Sequence, residues 1–538
     1  MATEVSAPPS TTLPAAPPPR LSKHPYVGIL GVFLGASVAT VNQRLLSIGL
    51  PDLRGALSLG FDEASWLPTV LTMAMMFSGV FCALLNARLG PRRILLPCAT
   101  IFTLSSIALP SSPSIEGMYF LLVLAGLASG TFYTLTLTFA LTALPKRLVI
   151  FAIAAYAGDI VFSSNMATAL QSWYAEHLSW RWIFWNAAIF TPLMMVCVYF
   201  GVPRHAAPAS PRPSWRGFAY FSLGLALLVG ALDQGERLDW LNSGVIVGMF
   251  ASGMFLVGAA WLRRMRQPNP IVNLDFLKSR NIVILALAIF VFRFSLLSVY
   301  LVIPAFLGNI QGYRAAQTGR VLAWVAMPQF VVIWLIALII IYTNSRLILA
   351  TGLTLTAIAC WAFAHLDTSW AGGNFKTIEL VLGLAFASSY IGMVGAIVLQ
   401  AFESGALNRV ENVSTFSGFM HFARLFGGSV GAALMVRFIS VREQFHSNLL
   451  GLHVQVGNWL TDDRLKALAV GVFPGSTGLE ESRDRAVQIL SEQVRAQAYT
   501  MAIADAFILI GWMVVAYLLV MLLLRPGRIS YKDLRNMR

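Results

Sequence analysis

Charge is scarce in this sequence. Only 12% of its 538 residues are Asp, Glu, Lys or Arg, whereas 57% are hydrophobic and the mean hydropathy is +0.71. A soluble domain carries about twice that share of charge, so most of this surface must face a solvent other than water. Nucleic acid is therefore not the expected partner, despite a formal net charge of +14. Cysteine is scarcer still. Cys82, Cys98, Cys197 and Cys360 all lie in or beside apolar stretches, without metal-ligand spacing or a disulfide framework, which leaves them as small packing residues. A phosphate-binding Gly loop, a metal-ligand cluster and a nucleophile motif are also missing, so neither an enzyme nor a cofactor or metal site is expected. No short apolar segment with a small-residue cleavage site precedes the first long apolar run. The Pro-, Ala-, Ser- and Thr-rich residues 1–25 are therefore expected to form a disordered cytoplasmic tail, not a signal peptide.

What the chain has instead is apolar length. Runs of roughly 18–25 apolar residues, each enough to cross about 30 Å of hydrocarbon as a helix, recur almost throughout, where a membrane barrel would show short alternating segments. They predict fourteen spans in an all-α membrane protein: 26–49, 66–86, 94–110, 117–142, 149–174 and 182–202; then 217–233 and 243–262; then 282–305, 319–342, 346–365, 377–402, 415–439 and 500–524. The grouping is 6+2+6. An N-terminal six-helix bundle occupies 26–202, two extra spans with their linkers 203–281, a C-terminal six-helix bundle 282–524, and a basic cytoplasmic tail 525–538. Alternate connections are rich in cations: Arg88, Arg92 and Arg93; Lys146 and Arg147; Arg204, Arg212 and Arg216; Arg263, Arg264, Arg266, Lys278 and Arg280. The opposite connections hold only Arg54, Arg181, Arg237, Arg314 and Lys376. By the positive-inside rule both termini are cytoplasmic and the chain is a multi-pass protein of the inner membrane, in contact with lipid. Residues 440–499 are out of scale as a connection. Their charge and the break at Phe473-Pro474-Gly475 predict a partly helical periplasmic insertion, open to two readings: a solvated cap, or a docking surface for a periplasmic partner.

Ionisable side chains at membrane depth are costly unless a cavity or partner receives them, and so mark function. In the first span Thr40, Arg44 and Asn42 gather polar character, with Ser37, Thr40, Arg44 and Ser47 on one helical face. In the fifth, Tyr156, Asp159 and Ser163 form a second stripe. Arg293 shares a face with Tyr300 in the ninth span, and His421 adjoins Arg424 in the thirteenth. Asp159 reads either as half of a buried ion pair with Arg44 or Arg293, or as a carboxylate that exchanges protons during transport. His421 is open to a packing role or to proton coupling. Glu379 and Glu403 lie near span ends, within reach of water. Cations outnumber carboxylates here, so Arg44, Arg293 and Arg424 are candidate contacts for a substrate with negative charge. Phe132, Tyr133, Tyr156, Trp324 and Tyr390 could supply apolar walls.

One local run is specific. Ser179-Trp180-Arg181-Trp182-Ile183-Phe184 opens the sixth span; Leu50-Pro51 follows the first; Leu89-Gly90 with Arg92 and Arg93 joins the second to the third; Arg424-Leu425-Phe426-Gly427-Gly428 and Gly431 lie in the thirteenth. With the 6+2+6 layout, these make residues 25–525 resemble the fourteen-span drug:proton antiporters of the major facilitator superfamily, the EmrB/QacA-like group. The resemblance implies two halves that alternately expose a central site, with Arg88, Gly90, Arg92 and Arg93 as a gating loop. Gly427, Gly428 and Gly431 are expected to let a neighbouring backbone approach. Other family positions differ: Asn42 replaces an acidic residue, Ala87 another, Leu122-Val123-Leu124-Ala125-Gly126 an Arg-x-x-Gln-Gly pattern, and Ala167-Thr168 a Gly-Pro pair. The expected function is proton-coupled export of amphipathic small molecules, drugs or metabolites. Two alternatives stand beside it: a dedicated exporter of an organic or aromatic acid anion using Arg44 and Arg293, and a non-transporting membrane scaffold or sensor.

Overall fold

The computed structural model describes residues 22–203, 215–265, 279–403, 410–455, 457–472, 478–525 and 531. Residues 1–21, the cations Arg204, Arg212, Arg266, Lys278, Arg528, Lys532, Arg535 and Arg538, and the break at Phe473-Pro474-Gly475 lie outside the described residues. Among the described residues there is no strand. The first half consists of α1 (Pro25–Ile48), a short α2 (Leu50–Leu57), α3 (Phe61–Leu89), α4 (Pro91–Ala108), α5 (Ile115–Thr142), α6 (Lys146–His177) and α7 (Trp182–Gly201). Two further helices follow, α8 (Trp215–Gln234) and α9 (Gly244–Met265). The second half contains α10 (Arg280–Ser295), a π turn at Ser298–Val302, α11 (Ile303–Asn309), α12 (Ala315–Ile339), α13 (Ser345–Phe363), α14 (Gly372–Glu403), α15 (Val410–Gly451), α16 (Trp459–Val472) and α17 (Leu479–Met521).

Among the described residues, thirteen helices are long and apolar enough to cross a membrane, α10 to α11 counting as one. The remaining long helix, α6, carries Asp159, Ser163, Ser164, Asn165 and Thr168; it packs between α1 and α12, where those side chains meet other helices rather than lipid. Local sequence sets the helix ends. Gly90 takes φ +77°, a backbone that favours glycine, and its N–H closes α3 on the Asn86 carbonyl at 3.1 Å; Pro91 then opens α4, where its missing N–H costs nothing. The Ser114 hydroxyl caps α5 by accepting the Gly117 N–H at 3.2 Å.

Within the first half, α1 lies against α7 along Gly28, Gly31 and Gly35. A Cβ on Gly28 would sit 2.8 Å from the Gly201 carbonyl oxygen, and one on Gly31 2.8 Å from the Cys197 Cβ. This is the small-residue contact by which membrane helices gain dispersion energy that lipid cannot supply. Helix α8 packs on α3 and α15, at the seam between the halves, and α9 packs on α8. One end of α8 is fastened to α3: the Gln234 side-chain amide donates to the Ser65 carbonyl (2.9 Å) and to the Thr69 hydroxyl (2.6 Å), and Arg237 pairs with Asp62.

Helices α15 and α17 run 42 and 43 residues, about 60 Å each, or twice the hydrocarbon thickness. Their adjoining ends therefore project beyond the bundle, with α16 packed on α17. The projection is tied at its base by Asp505, which accepts from Arg442 Nε at 2.6 Å and lies 2.7 Å from His446 Nε2.

Candidate functional site

Polar side chains from both halves converge where α1, α5 and α6 face α10, the π turn, α14 and α15. Asp159 lies about 20 Å along α6, and Ser37 lies at a similar depth along α1. The Ser37 hydroxyl donates to Asp159 Oδ1, as does the Ser163 hydroxyl at 3.1 Å; Oδ2 has no hydrogen-bond partner. The Ser163 contact follows from the i, i+4 spacing on α6, whereas Ser37 is supplied by packing. Among the described residues Asp159 forms no ion pair, so the pairing with Arg44 or Arg293 that the sequence left open is not made. The two serines take the carboxylate, and Arg44 turns elsewhere.

Arg44 lies over the Tyr300 ring, its Cζ 4.0 Å from the centroid, and Nη2 donates to the Tyr300 carbonyl at 3.3 Å. Arg293 fills the space left by Gly428, where a Cβ would be 2.6 Å from its Nη2. The Arg424 Cζ lies 3.6 Å from the centroid of the Tyr133 ring, and Arg424 is only 4% exposed. Each guanidinium keeps an N–H without a partner: Nε of Arg44, Nε of Arg293, Nε and Nη2 of Arg424. Arg293 is within electrostatic reach of both other arginines. Three guanidiniums therefore gather in a region that holds a single carboxylate, Asp159, an imbalance that attracts negative charge.

Tyr133 joins this group to α1. Thr40 donates to the Ala36 carbonyl at 2.8 Å, which leaves its oxygen to accept from the Tyr133 hydroxyl. The sequence suggested Tyr133 only as an apolar wall; its role as a link between Thr40 and Arg424 depends on which helices meet. Phe132 instead packs edge-on to Phe102, with centroids 5.7 Å apart, inside the first half. Tyr156 and Tyr390 are buried within electrostatic reach of Arg424, and Tyr390 stacks on Phe292 at 4.7 Å. Trp324 lies apart from the group, under the Lys376 ammonium at 4.0 Å. Asn42 is buried, with Oδ1 unpartnered, as is the Tyr300 hydroxyl.

His421 is 1% exposed and sits 3.1 Å, through Nε2, from the Met75 carbonyl oxygen, so Nε2 carries the hydrogen and Nδ1 is a bare acceptor. The contact joins α15 to α3 across the seam. Asn86 to Ser414 (2.7 Å), Thr138 to Ser417 (3.1 Å) and Asn165 to Gln329 (3.1 Å) cross the same seam, and Glu176 pairs with Arg320. The glycines of α15 face mainly side chains of α10 and the residues just after it, Phe290 opposite Gly427, Arg293 opposite Gly428, Leu297 and Phe294 opposite Gly431; backbone comes near only at Gly431, where a Cβ would lie 3.7 Å from the Phe294 Cα. In the α3–α4 turn, the Arg92 Cζ lies 4.3 Å from the centroid of the Tyr199 ring on α7, a contact within the first half, while Arg88 and Arg93 are exposed. Glu379 does not reach water as expected: it is 0% exposed and neither carboxyl oxygen has a partner.

Comparison with known proteins places this geometry. The Major Facilitator Superfamily profile matches residues 32–432. The chain is 22% identical over 491 residues to the colistin resistance protein EmrB of Acinetobacter baumannii, covering 88% of this chain and 91% of that one. It is 21% identical over 495 residues to the multidrug export protein EmrB of Escherichia coli, covering 92% and 93%. The solved proton:xylose symporter XylE superposes with a TM-score of 0.55 at 12% identity, over 95% of this chain and 98% of that one, which is a likeness of fold. With the profile spanning the first half, the inserted pair and most of the second half, the chain belongs to the Major Facilitator Superfamily.

Proposed function

We propose that the chain is a proton-coupled exporter of amphipathic small molecules that works by alternating access in the inner membrane, with both termini cytoplasmic. The observation that carries this reading is Asp159: a carboxylate inside the bundle, held on one oxygen by serines of α1 and α6, and bare on the other. The full-length likeness to export proteins supports it. Asp159 is the proton carrier, while Arg44, Arg293, Arg424, Thr40, Asn42, Tyr156, Ser163 and Tyr300 contribute to the substrate surface. His421 acts as a seam contact, not a second carrier, because its one N–H is committed to a backbone carbonyl. Arg88, Gly90, Arg92 and Arg93 form the cytoplasmic hinge between α3 and α4. The projecting ends of α15 and α17, with α16, are the surface available to a periplasmic adaptor. A ligand shifts a two-state transporter only through differential binding. For a cationic substrate, protonation of Asp159 removes the attracting charge, so proton and substrate compete and antiport follows. The test is pH-gradient-driven uptake into everted vesicles over a mixed panel of cations and acids. Asp159→Asn should abolish gradient-driven accumulation while leaving downhill exchange, and unchanged accumulation in that variant removes the assignment.

The excess of guanidiniums favours a second reading, export of an organic or aromatic acid anion through Arg44, Arg293 and Arg424. Here protonation adds positive charge and strengthens binding, the opposite sign. An anion is expelled by an inside-negative potential, worth about 2.3 kcal/mol per charge per 100 mV, without proton competition. Thermal stabilisation by anions but not by lipophilic cations, growing as pH falls and lost in Arg44→Ala, selects this reading. The reverse pH trend selects the first.

A further inference from the structure

Glu379 lies seven residues into α14, about 10 Å along its axis. It is flanked on that helix by Phe375, Leu382 and Phe386, all fully buried. Phe375 in turn packs against Phe306 of α11 and Phe363 of α13, at centroid distances of 5.8 and 5.4 Å. Both carboxyl oxygens are buried without a hydrogen bond. Lys376, three residues earlier and a natural helical partner, is exposed and lies over the Trp324 ring instead. The helices packed on α14 offer no substitute. Charged and titratable groups on α13 are Arg346 at its opposite end and the buried Cys360 thiol. Helix α12 brings Arg320, exposed and paired with Glu176; α10 brings Arg280 and Arg293, with Tyr300 in the π turn beyond; α6 brings Tyr156, Asp159, Tyr174, Glu176 and His177 among its described side chains. None forms a hydrogen bond or ion pair with Glu379 among the described residues.

A carboxylate in that setting would be an uncompensated buried charge, costing several kcal/mol or more. The geometry therefore fits the acid form. Even the acid leaves its O–H unpartnered, which costs about 1–3 kcal/mol, so this conformer is one in which the group gains nothing from its surroundings. A conformer that opened this part of the second half would give the carboxyl water or Lys376, and the released proton would pass to that water. We propose that Glu379 is a second proton-binding site of the transporter, in the half opposite Asp159, loaded in this conformer and emptied when the second half rearranges. The proposal rests on the reading of the chain as a proton-coupled exporter, but its first measurement does not.

The experiment has two arms on the full chain. Infrared difference spectra on lowering and raising pH, in membranes without substrate, read the carboxyl state directly. A protonated-carboxyl C=O band at neutral pH that disappears in Glu379→Gln is expected, and a group already ionised at neutral pH overturns the proposal whatever the chain transports. In proteoliposomes with the membrane potential clamped at zero, Glu379→Gln should lower the proton-to-substrate ratio by one. Each proton lost lowers the limiting accumulation about tenfold per unit of pH gradient, while downhill exchange persists. Glu379→Asp, which keeps an ionisable group, should restore the ratio if the glutamine variant folds poorly. An unchanged ratio in a folded Glu379→Gln overturns the proposal, whereas loss of gradient drive in Asp159→Asn alone would leave the exporter reading intact.

Discussion

Substitution of Gly79 by alanine offers a test of how the two halves are locked, because the space it fills belongs to His421 of the other half. A Cβ on Gly79 would approach the imidazole within 2.7 Å at Cε1 and closer at Nε2 and Cδ2. The ring has little room to retreat. It is 1% exposed, its centroid is 5.8 Å from that of Tyr133, and its N–H is committed to Met75 at 3.1 Å. Overpacking of this kind costs about 1–3 kcal/mol. If the ring is pushed off the carbonyl, its orphaned N–H adds about 1–3 kcal/mol, for a total of about 2–6 kcal/mol. The backbone loses nothing further, since α3 keeps its own helical hydrogen bonds. Reversible unfolding in mixed micelles can measure the single variants, and the double variant Gly79→Ala, His421→Ala decides the cause. With the imidazole gone the new methyl has space, so the double variant should be more stable than the sum of the single costs by about 2 kcal/mol or more. A Gly79→Ala cost within about 0.5 kcal/mol of zero, or simple additivity of the two changes, would refute the argument.

Gly28→Leu should cost about 3 kcal/mol or prevent folding by prising α1 from α7, whereas Gly248→Leu on α9, where a Cβ meets nothing within 4 Å, should stay within about 0.5 kcal/mol of the parent; folded yield and melting in detergent compare them. Arg424→Lys keeps the charge but loses the planar stack on Tyr133, so substrate binding measured by calorimetry should weaken by about 0.5–2 kcal/mol, or roughly 2–30-fold. Asp505→Ala removes the acceptor shared by Arg442 and His446 and should loosen the projecting helices by about 1 kcal/mol. Limited proteolysis should then cut within 440–499 sooner while the bundle stays intact.

Each part of this molecule was legible in the sequence to the extent that its cause is local. Apolar length dictates a crossing helix whatever lies beside it, and Asp159 meets Ser163 because four residues make one turn. The ends of α15 and α17 escaped that logic: beyond 439 and before 500 the helices continue where no long run of apolar residues marks them, with α17 packed on α15 and on α16. The π turn at Ser298–Val302 left no trace in the apolar pattern, yet its Tyr300 carbonyl is where Arg44 binds. Asp159 and Glu379 show the same limit for charge. Both are acidic residues in apolar helices, but Asp159 meets the Ser37 hydroxyl of α1 beside Ser163 of its own helix, whereas Glu379 is buried beside Phe375 and Phe386 with no hydrogen bond. Which of the two carboxyls is hydrogen-bonded and which is left without a partner is therefore decided by helix rotation within each half. If the two carboxyls couple transport as proposed, a chain with Asn42 where the resemblance leads one to expect an acidic residue keeps Asp159 and Glu379 for that task, and movement of the halves must then change the surroundings of both.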